Sequence, residues 1–264
     1  MTASAKQRHD HILAAVLDRR HVSAKDLADS IGVSEATVRR DLKALADEGQ
    51  LALVYGGATL PRGGDFSYRS KAQRNVEAKR IIGQLAAELV GDDQQLFIDS
   101  GTTTSEMTPY LKRRRGLSII VNSTRLAQEL VAPGIGILMV GGQYRPDRMD
   151  AVGPLATATL EKLRGYTAFI GADGMSIDFG PTAADIESAD VYGRAVQNAR
   201  ETVVLVDHTK FESPSLFKIT DWEKVNKLVT DQQPSPQWLE FLRSRNIQPI
   251  FPQENGTPHV HAGL

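Results

Sequence analysis

From residue 76 onward, short apolar runs alternate with helix-forming segments, and no other feature of the chain constrains its fold as tightly. A helix over 76–90 precedes a strand at 95–98, a helix over 103–113 precedes 117–121, and a helix over 124–131 precedes 136–140. A helix over 154–163 then leads into 167–170 and one over 185–199 into 202–206. Strands at 225–229 and 247–251 flank a helix over 236–244. Strands covered on both faces read as continuous apolar runs, and helices between them are the crossovers that join parallel neighbours. The expectation is an α/β fold: a doubly wound, mainly parallel domain over residues 75–252.

Ligands of such sheets bind outside the carboxyl ends of the strands, and here those ends are small and polar. The first strand is followed by Asp99-Ser100-Gly101-Thr102-Thr103-Thr104 and the second by Asn122-Ser123-Thr124. The third ends in Gly141-Gly142, the fourth in Gly171-Ala172-Asp173-Gly174, and the fifth in Asp207-His208-Thr209-Lys210. Taken singly, a Gly-Gly pair is a turn, Ser-Gly-Thr-Thr-Thr a helix cap and Lys210 a surface lysine. Their recurrence at successive strand ends reads as a binding crevice. In the first of them, glycine permits close backbone approach, while threonine hydroxyls and helix N-terminal amides aim donors at one spot, as a phosphate dianion requires.

The first sixty residues have a different pattern. An amphipathic helix over about 6–19 is followed by Ser23, a candidate N-cap for a helix over 24–31. Gly32 ends that helix, because glycine takes the left-handed conformation a tight turn demands. Ser34 then caps a third helix running from Glu35 to about Glu48. Val38, Leu42 and Leu45 fall on one side of it; Ala36, Arg40 and Lys43 lie opposite, with Thr37 and Arg39 on the flanks. Two helices joined by a short glycine turn form a helix-turn-helix. The outward face of the third has what a major-groove reader needs: short side chains near its N-terminus, then arginines for guanine edges or phosphates. Residues 50–60 read as a strand, a Gly56-Gly57 turn and a second strand, the wing of a winged helix. The candidate DNA-binding residues are Ser34, Glu35, Ala36, Thr37, Arg39, Arg40 and Lys43. Asp41 would repel phosphate and is expected to face the protein, anchoring a neighbour.

Bulk charge does not help, since the formal net charge is -1 and acids balance bases within residues 1–60. The DNA reading rests on where charges sit. There are no cysteines, which removes disulfides, zinc fingers and thiol chemistry and fits a cytoplasmic protein. No apolar run approaches the ~20 residues of a membrane span. Residues 61–74 read as a linker, with 66–75 extended or irregular, and 253–264 as a disordered tail whose His259 and His261 bind no metal. Lys112-Arg113-Arg114-Arg115 reads as a solvated helix end, Arg145 and Arg148 as candidates for a second anionic group, and Trp222 and Trp238 as packing residues.

Val33-Ser34-Glu35-Ala36-Thr37-Val38-Arg39-Arg40-Asp41-Leu42, with Leu45, Gly49 and Tyr55-Gly56-Gly57-Ala58, closely resembles the DNA-binding head of DeoR-type bacterial regulators. The strand-end series resembles the effector domain of the same family, so the likeness spans about residues 7–250. It departs at Val121, where the family pattern has Thr, and at His208-Thr209, where it has Ser-Ser. The resemblance implies an effector domain similar in fold to ribose-5-phosphate isomerase. It further implies a repressor of a carbohydrate operon that binds double-stranded operator DNA, assembles as a dimer or tetramer, and is released by a phosphorylated sugar or polyol. Arg39 and Arg40 would be the main DNA contacts. Ser100, Gly101, Thr102, Thr103 and Asn122 would line the phosphate end of the effector, with Asp173 and Lys210 reaching its hydroxyls or phosphate. The rival is catalysis, since Asp99, Asp173, Glu187, Asp207 and Lys210 could move protons. Ribose-5-phosphate isomerases carry Asp-Gly-Ala-Asp; this chain has Ile170-Gly171-Ala172-Asp173, without the first acid. No enzyme, cofactor or metal is expected.

Overall fold

A computed structural model describes residues 5–19, 21–47, 51–59 and 68–252. The expected tail and residues 61–67 of the expected linker lie outside the described residues. The chain divides into two compact units, residues 1–74 and 75–264.

The first unit contains α1 (Ala5–Arg19), β1 (His21–Ser23), α2 (Ala24–Ile31), α3 (Glu35–Asp47), β2 (Ala52–Val54), β3 (Gly57–Thr59) and α4 (Tyr68–Ala72). Ser23 caps α2 by accepting from the Asp26 amide at 3.0 Å, and Gly32 ends it at φ 74°. Val38, Leu42 and Leu45 of α3 are buried with Ile12 and Val16 of α1 and Leu27 of α2. That core leaves the opposite side of α3 in solvent. The wing has three strands rather than two, because β3 pairs antiparallel with both β2 and β1. Gly57 permits this: a Cβ there would stand 2.0 Å from the Val22 carbonyl. Residues 68–72, expected to be irregular, form α4, a single turn too short to show a period.

The second unit contains α5 (Val76–Glu88), β4 (Gln95–Ile98), α6 (Thr108–Leu111), β5 (Leu117–Val121), α7 (Thr124–Glu129), β6 (Ile135–Met139), β7 (Gln143–Arg145), β8 (Asp150–Val152) and α8 (Pro154–Leu160). It continues with β9 (Thr167–Gly171), β10 (Gly174–Ser176), β11 (Gly180–Ala183), α9 (Ile186–Asn198), β12 (Glu201–Leu205), β13 (Phe217–Lys218), β14 (Lys227–Val229), α10 (Pro236–Ser244) and β15 (Gln248–Ile250). Seven strands form one parallel sheet in the order β15-β14-β12-β9-β4-β5-β6. Alternate residues feed two cores. Leu96, Ile98, Ile119 and Phe169 pack with α5, while Phe97, Ile120, Ala168 and Ile170 pack with α8, α9 and α10. Trp222 and Trp238 are buried in the second core, stacked edge-on with each other and with Phe241.

Chain order runs outward from β4 in one direction through β5 and β6, then resumes at β9 on its other side. The topological switch point, where open α/β sheets bind ligands, therefore lies between β4 and β9. The helix expected over 103–113 is instead a 3-10 turn, Thr104–Met107, followed by the short α6. The small sheets β7-β8 and β10-β11-β13 were not expected.

Candidate nucleic-acid interface and ligand crevice

On α3 the sequence pattern becomes a surface. Ser34, Glu35, Ala36, Arg39, Arg40 and Lys43 are exposed and Thr37 is half-buried. Ser34 caps the helix: its hydroxyl accepts from the Thr37 amide at 3.2 Å and meets the Thr37 hydroxyl at 2.9 Å. Arg39 donates to Glu35 at 3.0 Å, and Arg40 folds back onto the Ala36 carbonyl at 3.3 Å. Both arginines can leave these exposed partners cheaply, because an exposed i,i+4 pair contributes only about 0.3–0.5 kcal/mol. Asp41 turns inward. Arg8 of α1 grips it at 2.8 and 3.1 Å, and His9 approaches at 3.2 Å. The Arg8 hydrogen bond outweighs burial and, with His9, holds the Asp41 carboxyl below the usual carboxylate range. The acid beside the arginines thus ties α3 to α1.

At the switch point Asp99 is a clasp rather than the ligand contact expected of it. It is fully buried. One carboxylate oxygen accepts from the Gly101 amide at 2.9 Å and the Thr104 hydroxyl; the other accepts from the Gly171 amide at 2.7 Å, across the gap. Burial pushes its carboxyl up, against those three hydrogen bonds and with the charge of Asp173. Gly101 leaves room for the clasp, since a Cβ there would lie 2.9 Å from the Asp99 carboxylate. Beyond it, the first amide to find a backbone acceptor is that of Ser105, which donates to Gly101 at 3.2 Å. Among the described residues, the amides of Thr102, Thr103 and Thr104 and the hydroxyls of Thr102 and Thr103 have no protein partner. They form a donor-rich lip held by the clasp. The Thr104 hydroxyl is withdrawn to Asp99.

Across the switch, Asp173 stands half-buried, accepting from the Ala184 amide at 2.9 Å. Gly171, which donates to the clasp, and Ala172 precede it in the chain. Gly174 serves packing instead: a Cβ would meet the Ser213 carbonyl at 1.7 Å. At the end of β12, beside β9, Lys210 is half-buried next to Asp207. Burial opposes the Asp207 charge, but hydrogen bonds from Thr209 and the Lys210 charge hold its carboxyl below the usual range.

Four expected contacts are placed elsewhere. Ser123 is fully buried and caps α7, accepting from the Leu126 amide at 3.2 Å. Asn122 is also fully buried; its amide nitrogen donates to the Ala151 carbonyl at 3.1 Å, while its Oδ1 has no partner among the described residues. Gly141 and Gly142 follow β6, two strands from β4. A Cβ on Gly142 would meet the Val152 carbonyl at 2.4 Å, so glycine there lets the chain close onto β8.

A buried polar network, missed from sequence, backs the lip. The Ser100 hydroxyl donates to Asp150 at 2.8 Å and meets the Tyr192 hydroxyl at 2.8 Å. Burial and the charges of Asp99 and Asp150 push that phenol well above its usual value. Arg145 forks onto Asp150 with two bonds of 2.8 Å and reaches Asp185 at 2.7 Å. Arg148 also bonds Asp185. Both guanidiniums, expected to serve a second anion, are therefore engaged by carboxylates. The only sequence signal was Asp185 standing ahead of α9 as an N-cap; its partners lie 37 and 40 positions away.

The comparisons agree with this division. The family model for the DeoR-like helix-turn-helix domain matches residues 8–62, and that for the DeoR C-terminal sensor domain matches 74–232. The HTH-type transcriptional repressor CsqR of Escherichia coli K12 is 30% identical, covering 94% of this chain and 96% of its own. The glycerol-3-phosphate regulon repressor of the same strain is 27% identical, over 92% and 97%. Among solved structures, ribose 5-phosphate isomerase A from Methanocaldococcus jannaschii aligns with a TM-score of 0.37 at 19% identity, over 52% of this chain and 55% of that one.

Proposed function

The chain belongs to the DeoR family of transcription regulators, and from that premise we propose that it represses a carbohydrate-utilisation operon and leaves its operator when a phosphorylated sugar or polyol fills the switch-point crevice. The exposed face of α3 enters the major groove, with Arg39 and Arg40 on guanine edges or phosphates and Ser34, Thr37 and Lys43 around them. The protein acts in the cytoplasm, where operator and phosphorylated metabolite meet; no described helix is long and apolar enough to cross a membrane. One head reads too few base pairs for genomic specificity, so at least two copies act together.

The observation that carries the effector class is the lip: the free amides of Thr102–Thr104 and the hydroxyls of Thr102 and Thr103, fixed by the buried Asp99 clasp. Such a group binds an anion, and Asp173 and Lys210 around the same crevice suit the hydroxyls of a polyol. A relative named for the glycerol-3-phosphate regulon supports the same class. The chain regulates rather than catalyses, and the isomerase position before Gly171 holds Ile170, fully buried in the core.

The test is a thermal-shift screen against sugar and polyol phosphates, with the unphosphorylated compounds as controls. Saturable stabilisation by one phosphate is expected, lost in Thr102→Asp, which sets a carboxylate in the lip while leaving operator binding intact. Stabilisation by a free sugar but no phosphate would overturn the effector class. A Thr102→Asp protein still stabilised at wild-type concentrations would move the phosphate site elsewhere.

A further inference from the structure

The two edges of the large sheet differ. At one edge β15 has three residues with Pro249 in the middle, a residue with no amide to offer another strand. At the other edge β6 runs Ile135-Gly136-Ile137-Leu138-Met139, and no charged side chain or ionisable group occurs from Val131 to Gly142. Gly136, Leu138 and Met139 are exposed, as are Val131 before the strand and Tyr144 after it. Soluble proteins blunt an open edge with charge, proline or a bulge, because its unpaired amides and carbonyls template pairing with another chain. None of these devices occurs within β6.

We infer that β6 is a self-recognition edge: two copies pair these strands antiparallel about a two-fold axis passing beside Ile137, joining their sheets. The strand is its own complement in this register. Ile135 stands opposite Met139 of the partner subunit, and Gly136 stands opposite Leu138 of the partner subunit. The exposed leucine then fills the space the glycine leaves, and the arrangement repeats across the axis, as an isologous contact requires. No like charges meet, because the run carries none. The occupant is a second copy because the contact is self-complementary and because operator reading needs a second head. The inference rests on that two-headed reading.

The absence of cysteine makes the register directly testable. Antiparallel partners lie about 4.5–5.5 Å apart at Cα, within the roughly 4.4–6.8 Å that a disulfide spans. Ile137→Cys should oxidise to a covalent dimer. Ile135→Cys and Met139→Cys should each remain uncrosslinked alone and crosslink when mixed. Leu138→Lys should fall to half the wild-type mass or less by light scattering, with unchanged far-UV circular dichroism. If it misfolds, the cysteine pattern decides. A wild type that is monomeric would overturn both the edge and the two-headed reading. An oligomer that survives Leu138→Lys and forms no Ile137→Cys crosslink would overturn the edge and leave the two-headed reading standing.

Discussion

Arg39 and Arg40 are adjacent, yet the residues around them set different conditions for binding. Arg39 is held by Glu35, an exposed acid on the face proposed to meet phosphate. Arg40 is folded onto its own helix through a carbonyl that competes weakly for a guanidinium. Glu35, expected from sequence to be a DNA contact, on the proposed reading instead opposes DNA twice, by repelling phosphate and by occupying Arg39. Glu35→Gln is expected to tighten operator binding two- to threefold at low salt, with the gain shrinking as salt screens it. Arg40→Ala should weaken specific binding by about 1–3 kcal/mol per head, about fivefold or more. Fluorescence anisotropy with operator and scrambled duplexes reads both; an Arg40→Ala protein of wild-type affinity would show that α3 is not the reading helix. Asp41 plays no such part, because Arg8 and His9 hold it against α1, away from the proposed DNA face.

Helix α9 begins where the buried network ends. Asp185 caps it, accepting from the Ser188 amide at 2.9 Å, and also receives Arg145 and Arg148. Burial works against this carboxylate, but the capping amide and the two guanidiniums together bring its pKa from 3.8 down to about 2. A native pKa below the unfolded one stabilises the fold fully above the unfolded value, and the contribution disappears as pH falls through the native value. The shift corresponds to about 2 kcal/mol, present at pH 5 and above and lost between about pH 4 and pH 2. Urea unfolding across that range should show the wild type losing about 2 kcal/mol more than Asp185→Asn; parallel losses would mean that the cap carries no charge-dependent stability. This helix also shows how far sequence reaches. Its approximate extent was legible as a helix over 185–199, as were α2 from Ser23 and Gly32 and α10, because caps and 3.6-residue periods are local signals. The strands β1, β7, β8 and β10 were not, since each is three residues of mixed polarity with no apolar run to mark it. Sequence also located the switch-point loops but gave Asp99, Ser100 and Ser123 outward roles. For Asp99 and Ser100 the direction depends on what lies across the fold, here Gly171 and Asp150, whereas Ser123 turns to the local cap of α7.

Over the whole molecule, two sites with opposite consequences share one chain whose net charge is -1. Long-range attraction cannot tell operator from bulk DNA, so on the proposed reading specificity comes from the local face of α3 and release from a change in the population of head arrangements. A hundredfold release requires the effector to prefer the weakly binding state by about 2.7 kcal/mol. The coupling is reciprocal: whatever factor the effector removes from operator affinity, operator must remove from effector affinity. With the phosphate found by thermal shift, its dissociation constant measured by calorimetry should therefore rise, in the presence of saturating operator duplex, by the same factor as operator affinity falls in saturating phosphate. Thr102→Asp should flatten both curves together, while Arg40→Ala should leave phosphate affinity intact and remove only its dependence on operator. Equal phosphate affinity with and without DNA, alongside clear release, would break the thermodynamic cycle for a crevice-linked switch, and a second phosphate site acting directly on the DNA face would then have to account for release.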